Sequence, residues 1–372
     1  MYRQVYPLSA ILRPMKYLEI YSSLKNSISN REFTSDRRLP GEPELCRRFG
    51  AARNTVRQAL ALLHSQGLIE KRKGKGTFIT KRGERKSGII GLLMPDYDSS
   101  SFFSSLKSEL ESCARHLGYR IHLEHIAGRN GRQSDASIRS AARRLAVKRA
   151  EGVIFRPLLD TGRSEINKEI LRIFRRAETP VVLVDSDVSP RPERSECDLV
   201  AVDNVSAGRR IAAHLIDAGK RKIAFMMSGA EIGSNANWEN RLFGISGEMA
   251  VRGVDYGVST LRFTPDDRDA LRRLMHSGRR PDAIACGSDR TAVALVENLK
   301  AIGKRIPEDI AVTGFDDEPF ARSCIPPLTT IRQPVRLIAK TAFKTLLARI
   351  RYPQNDPREI LLDAPLTVRQ ST

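Results

Sequence analysis

The chain has 372 residues, 41% of them apolar, and 63 Lys+Arg against 43 Asp+Glu for a formal charge of +20. That length allows two or three domains with sizeable cores. No run approaches 18 uninterrupted apolar residues, which excludes a membrane-spanning helix of the usual kind.

The basic excess is uneven. Residues 1–86 hold 19 basic and 7 acidic residues, whereas the other 286 hold 44 and 36. A phosphate-facing module needs such a concentration of charge at the front. At the start of the chain, Arg13, Pro14 and Lys16 interrupt the apolar stretch Leu8–Leu12, so no signal-peptide core is read there. The five cysteines (Cys46, Cys113, Cys197, Cys286 and Cys324) are scattered, odd in number and form no C-x-x-C pair. This favours reduced thiols over a disulfide frame or a zinc site, and a bacterial cytoplasm is the expected location.

Along the chain, Pro40 and Gly41 break what precedes them. Glu42 to Phe49 then supports two helical turns, with Leu45 and Phe49 spaced i, i+4 on one face. Pro43 is tolerable because it falls in the first turn. Gly50 stops this helix, and Asn54 or Thr55 is positioned to start the next, running to about Gln66. Val56, Ala59, Leu60 and Leu63 form its inward stripe, leaving Arg53, Asn54, Thr55, Arg57 and Gln58 outward near its start. After Gly67, two short strands flank Arg72-Lys73-Gly74-Lys75-Gly76, a basic hairpin tip. A helix led by Arg, Asn and Thr suits base edges in the major groove, and a lysine-bearing hairpin suits the neighbouring phosphates. The blander alternative is a small helical subdomain with a solvated basic surface.

The blocks Leu39-Pro40-x-Glu42-x-Glu44-Leu45, Arg53-x-Thr55-Val56-Arg57-x-Ala59-Leu60, Gly67-Leu68-Ile69 and Gly74-x-Gly76-Thr77-Phe78 resemble the winged helix-turn-helix of GntR-type bacterial regulators. The likeness covers about residues 14–80 and includes Tyr17, Ile20 and Leu24 on a preceding helix. It implies an α+β DNA-binding domain over residues 1–79. Its DNA contacts would come from Glu42, Arg53, Asn54, Thr55, Arg57, Gln58, Lys73, Gly74, Lys75 and Gly76. Gly41, Pro43 and Ala52 depart from the family pattern, removing the usual helix cap, a phosphate-contacting arginine and a common serine.

Residues 80–87 read as a charged linker. From 88 to 372 the pattern becomes apolar strand, helix, apolar strand, repeated in two series. Continuous apolar strands alternating with helices indicate parallel sheets covered on both faces, and two series indicate two lobes with a cleft between them. The expected division places 88–190 and 318–345 in the first lobe, 191–317 and 346–372 in the second. Ligands in such sheets sit at the carboxyl ends of strands. Asp96, Asp185, Asp289 and Asp316 fall at those ends, and Arg241 is expected to open a helix after the Ser228–Asn237 loop. Carboxylates and an arginine suit a hydroxyl-rich ligand, with Phe102, Phe103 or Trp238 as an apolar platform. Taken singly, each aspartate reads equally well as a helix cap or turn former.

This larger part is similar to the effector-binding core of LacI/GalR-type repressors and periplasmic sugar-binding proteins. The likeness rests on His214-Leu215, Arg221-Lys222-Ile223-Ala224, Arg241-x2-Gly244, Ile306–Asp317 and Ile325-Pro326-Pro327-Leu328-Thr329-Thr330-Ile331-x-Gln333. It implies that Arg241, Asp289 and Asp316 hold the ligand, that Asp185, Ser101 and Phe103 line the same cleft, and that Pro326 to Thr330 cross between lobes. Ser288 stands where many relatives have Asn, so the ligand is left open between a sugar and a purine, nucleoside or other small molecule. Joining the two halves resembles the arabinose-repressor architecture. That architecture implies a homodimer on a palindromic operator, with the helix from Phe102 to Leu117 as a candidate dimer surface. A solute-binding protein without DNA function is the remaining alternative, opposed by residues 39–78.

Enzyme readings lack support. Residues 74–76 do not have the spacing of a phosphate loop, and neither a G-x-S-x-G elbow nor an H-E-x-x-H helix is present. His122 and His125 would point to opposite faces of a strand, against a metal site. No cofactor is implied.

Overall fold

The computed structural model describes residues 16–372 apart from 30–31, 34–36, 66, 73, 81–86, 95–100, 125, 127, 130–131, 159–163, 190–192, 228–235 and 255–258. Asp96 and Lys73 lie outside the described residues, as do most of the linker and most of the 228–240 loop.

The N-terminal module consists of α1 (Lys16–Ser29), α2 (Glu42–Phe49), α3 (Arg53–Ser65), β1 (Ile69–Arg72) and β2 (Gly76–Ile79). Apolar side chains from every element, among them Ile20, Leu24, Leu45, Val56, Leu60, Leu63 and Ile79, meet in one core. α2 begins after Gly41 without a side-chain cap and ends at Gly50 in the left-handed conformation. α3 begins two or three residues earlier than a cap at Asn54 or Thr55 would place it. Val56 N donates to Ala52 O at 3.2 Å, so Ala52 holds the position before the helix and has no side-chain oxygen to offer. β1 and β2 pair antiparallel from Ile69 opposite Ile79 to Arg72 opposite Gly76. The sequence did not reveal a third rung: Arg38 bridges Phe78, and Leu39 N donates to Thr77 O at 2.8 Å.

The larger part contains β3 (Ile89–Leu93), α4 (Ser101–His116), β4 (Arg120–Leu123), the short β5 (Gly128–Arg129) and β6 (Arg132–Gln133), α5 (Asp135–Val147), β7 (Gly152–Phe155), α6 (Ser164–Arg176), β8 (Val181–Val184) and β9 (Asp198–Val202). These are followed by α7 (Asn204–Asp217), β10 (Ile223–Met226), α8 (Ala236–Val251), β11 (Ser259–Leu261), α9 (Arg268–His276), β12 (Ala283–Cys286), α10 (Asp289–Ala301), β13 (Ala311–Asp316) and α11 (Pro319–Ser323). The chain ends with β14 (Thr329–Arg332), α12 (Val335–Arg351), β15 (Glu359–Leu362) and β16 (Leu366–Thr367).

Lobe 1 is a parallel sheet in the order β15-β9-β8-β7-β3-β4. Lobe 2 has the order β11-β10-β12-β13-β14-β16, with only β16 antiparallel to its neighbour. The inner strands β7, β8, β9, β10 and β12 are buried on both faces, as their unbroken apolar runs require, while the edge strands β4, β11, β15 and β16 are partly exposed. Within lobe 1, Ile90, Leu92, Ile154 and Val182 join one core, while Leu93, Val153, Phe155 and Leu183 join the other.

Sheet order corrects the expected lobe boundaries. β9 and β15 belong to lobe 1, against the expectation that 191–317 and 346–372 form lobe 2, and β14 belongs to lobe 2, against the expectation that 318–345 lies in lobe 1. The chain therefore crosses between lobes after Val202, after Arg332 and after Leu362. Residues 326–330 lead into β14 rather than forming a crossover. Hydrophobic runs mark a strand but carry no information about which sheet accepts it.

Candidate nucleic-acid interface and effector cleft

On the reader, α3 presents Arg53, Asn54, Arg57 and Gln58 to solvent and leaves Thr55 half-buried; Gly74, Lys75 and Gly76 stand exposed on the hairpin. Glu42 ties this face together. Its Oε2 accepts from Arg53 Nε at 3.0 Å and Arg57 Nε at 2.9 Å, and Lys71 Nζ lies 3.8 Å from Oε1. The hydrogen bond from Arg53, with help from Arg57, holds the Glu42 carboxyl below its ordinary range. Both arginines keep most of their surface, 65% and 51% of the side chain, so these are exchangeable pairs that a phosphate can displace. Arg72 is bound to Glu70 at 2.6 Å and lies over the Phe78 ring.

In the larger domain, strand ends gather the polar groups. Asp185, Asp316 and Asp317 have positive φ values of 73°, 121° and 57°. Such strained backbone at non-glycine residues clusters at functional sites. Arg241 lies on the second turn of α8, not at its opening, because the helix already begins at Ala236. α8 can approach α7 closely because both carry glycine at the contact. A Cβ on Gly208 would stand 2.2 Å from Arg241 O, and one on Gly244 2.1 Å from Val205 O. This gives a physical reason for the Arg241-x2-Gly244 spacing.

Arg241 is 5% exposed. Its Nε donates to Asn204 Oδ1 at 2.8 Å, its Nη1 to Gly287 O at 2.5 Å, and its guanidinium lies 3.3 Å from the Phe315 ring centroid. Burial lowers its pKa to about 10, against the pull of Asp316, Asp185 and Asp289, so it stays charged at neutral pH. Asn204 Nδ2 donates to Asn237 Oδ1 at 3.2 Å, and Asn237 Nδ2 donates to Asp185 Oδ1 at 2.9 Å. Arg156 Nε completes the chain by donating to Asp185 Oδ2 at 3.2 Å, with its guanidinium over the Phe103 ring.

Asp316 accepts from Gln333 Nε2 at 2.6 Å. Burial pushes its pKa up to about 7; Arg241 opposes the rise and Asp289 adds to it. Asp289 is fully buried, and its two oxygens serve the protein: Oδ1 accepts from Thr330 Oγ1 at 2.5 Å and Oδ2 from Glu318 N at 2.8 Å. Its pKa rises to about 6, chiefly from burial. Ser288 caps α10, accepting from Thr291 N. Asp289 and Ser288, both expected to touch a ligand, are thus engaged in the frame of the site. Ser101 donates to the Glu318 carboxylate across the cleft, and Phe102 and Phe103 are buried beside it. Trp238 lies against Gly287, where a Cβ would come within 2.7 Å of its ring.

Sequence reasoning missed Arg156, Asn204, Asn237, Glu318 and Gln333. Asn204 and Gln333 sit beside lobe crossovers, so knowledge of the crossovers would have flagged them. A cavity of about 940 Å³ lies elsewhere, at the opposite end of the lobe 1 sheet near Glu151, Arg172, Thr179 and Cys197, and shares no residue with this cleft. Among the described residues there is no cluster suited to a metal ion, and no helix long and apolar enough to cross a membrane. The cleft has hydrogen-bonding groups and charge placed to hold a polar molecule.

A winged helix with a basic face, followed by two parallel-sheet lobes around a polar cleft, defines a transcription regulator with a DNA reader and a ligand sensor. Residues 16–79 match the model of bacterial regulatory proteins of the gntR family, and residues 212–372 match that of the periplasmic binding protein-like domain. The chain is similar to the arabinose metabolism transcriptional repressor of Geobacillus stearothermophilus, at 26% identity over 374 residues, 96% of this chain and 97% of that one. With the HTH-type transcriptional repressor PurR of Vibrio vulnificus (strain CMCP6) it shares 31% identity over 288 residues, covering 76% and 80%. A solved transcriptional regulator CelR–cellobiose complex superposes with a TM-score of 0.64 at 23% identity, covering 95% of this chain and 99% of that chain. The chain belongs to this family of bacterial transcription regulators, with a gntR-family DNA-binding domain joined to a periplasmic-binding-protein-like domain.

Proposed function

We propose that the protein is a cytoplasmic repressor whose operator affinity is switched by a neutral carbohydrate held between the lobes. It has no enzymatic role in this reading. The observation that carries it is the buried Arg241, fixed by Asn204 and Gly287 and flanked by Asp316 and Asp185. An arginine and carboxylates held in place suit pairs of neighbouring hydroxyls. Both guanidiniums described in the cleft are already engaged, Arg156 by Asp185 and Arg241 by Asn204 and Gly287, which disfavours sugar phosphates and uronates. The arabinose repressor and the cellobiose complex among the relatives agree with a sugar. A nucleoside is the second reading, favoured by Trp238 beside Arg241, a ring on which a base can stack.

On the DNA side, Arg53, Asn54, Thr55, Arg57 and Gln58 read bases, while Lys73 to Gly76 touch the flanking backbone, and a homodimer on a palindrome supplies the needed selectivity. The test is a thermal-shift screen of the full chain with neutral pentoses, hexoses and disaccharides against uronates, sugar phosphates and nucleosides. Stabilisation by a neutral sugar is expected. A response confined to uronates, sugar phosphates or nucleosides would remove the assignment to a neutral sugar.

A further inference from the structure

The reader is built onto the larger domain as well as linked to it. Ser22 Oγ of α1 donates to the carbonyl of His116, the last residue of α4, at 2.5 Å. Lys25 is 1% exposed, with its ammonium 2.7 Å from the centroid of the Tyr119 ring and 5.9 Å from that of Tyr21. Gly118 has φ +68°, and a Cβ there would stand 2.9 Å from Asn26 Oδ1 and 3.0 Å from Ser22 O. Only glycine allows α1 to come this close to the α4–β4 turn. Tyr119, itself 3% exposed, meets Phe343 of α12 edge-on with centroids 5.9 Å apart. Its hydroxyl donates to Glu151 Oε2 at 3.4 Å, and Glu151 Oε1 accepts from Gly88 N, where the chain leaves the linker.

A lysine ammonium taken out of water loses several kcal/mol of hydration. Aromatic faces return part of this, but here one of the two faces belongs to the other domain. We propose that the reader is docked on residues 116–119 of lobe 1, and that α4 carries the state of the cleft to it. One end of α4 is Ser101, bonded across the cleft to Glu318; the other is His116, bonded to Ser22. The 16-residue helix spans about 24 Å. Phe102, Phe103, Leu106, Leu110 and Ala114 fix its inner face in the lobe 1 core, so it moves as a rod. The docking stands on its own contacts. Only the origin of the signal at the cleft rests on the effector reading above.

The test is a pulsed-EPR distance measurement on the full chain, with nitroxide-bearing unnatural amino acids at the exposed Arg48 and Val147 and the labelled chain diluted into excess unlabelled chain so that only distances within one copy contribute. The wild type is expected to give one narrow distribution, and Lys25→Gln and Tyr119→Ala each to at least double its width. Thermal melts check that both domains remain folded; if Tyr119→Ala unfolds lobe 1, Lys25→Gln on the reader side carries the result. A broad wild-type distribution, or widths unchanged in a folded variant, would overturn docking. Separately, Ser101→Ala is expected to move the mean distance by about 2 Å or more without broadening it. An unmoved mean would overturn transmission through α4 while leaving docking intact.

Discussion

The same side chain does opposite work in the two halves of this protein. Arg53 and Arg57 on the reader keep over half of their surface and share one carboxylate, that of Glu42. Arg241 in the cleft is 5% exposed and is held by an amide, a carbonyl and an aromatic ring. Surface pairs are weak and screened by salt, so they can be traded for phosphates at little loss. A buried guanidinium cannot be traded; it is fixed in advance for whatever enters. On the function proposed above, recognition of a polyanion and recognition of a small polar ligand would thus separate by burial.

If that contrast is right, Arg241→Ala has the largest effect on the protein itself. It leaves Asn204 Oδ1 and Gly287 O without their donor and removes the guanidinium packed on Phe315, and should cost on the order of 2–5 kcal/mol. Denaturant unfolding of the full chain measures this; a loss below about 1 kcal/mol would contradict it. Arg53→Ala and Arg57→Ala should each weaken a DNA duplex selected by the wild type by about 1–3 kcal/mol, with thermal stability unchanged within about 0.5 kcal/mol. Loss of stability comparable to that of Arg241→Ala would erase the distinction between the two regions.

Titration gives a smaller, signed effect. Asp316 has its folded pKa raised to about 7 from an ordinary value of 3.8, because burial penalises its charge. The folded state therefore holds a proton that the unfolded state has released, and this contribution to stability is lost as pH rises toward and through 7. Asp316→Asn cannot ionise, so its melting temperature relative to wild type should be higher at pH 7.5 than at pH 5.5. An equal difference at both pH values would show that Asp316 is not kept neutral by burial. The smallest effect is expected at Glu42. Glu42→Gln frees two arginines, so non-specific duplex binding should rise a few-fold and its salt dependence should steepen by up to about one ion. Weaker binding would make Glu42 a device that positions those arginines.

The reader was more legible in the sequence than the cleft. Its elements are local: Leu45 with Phe49, and Val56 with Leu60 and Leu63, lie on single helices whose periodicity shows the inward face, and Gly50 and Gly67 punctuate them. What escaped was non-local, the pairing of residues 38–39 with β2. In the larger domain the strand-end aspartates were visible because each follows an apolar run. Their roles were not, since Asp289 looks like Asp316 in sequence and yet spends both oxygens on Thr330 and Glu318. Asn204 joins the site because the chain crosses between lobes after Val202, which hydrophobic pattern does not encode, whereas Arg156 meets Asp185 at the ends of the neighbouring β7 and β8.

In the function proposed above, a ligand in the cleft sets the affinity of the reader. The direct measurement is the dissociation constant of the full chain for its selected duplex, at fixed salt, with and without a saturating concentration of the sugar that stabilises it most in the thermal-shift screen. A change of about 5- to 150-fold is expected, abolished in the Arg241→Ala chain if that chain remains folded. Equal affinities with and without the sugar, or a change that survives the loss of Arg241, would contradict it.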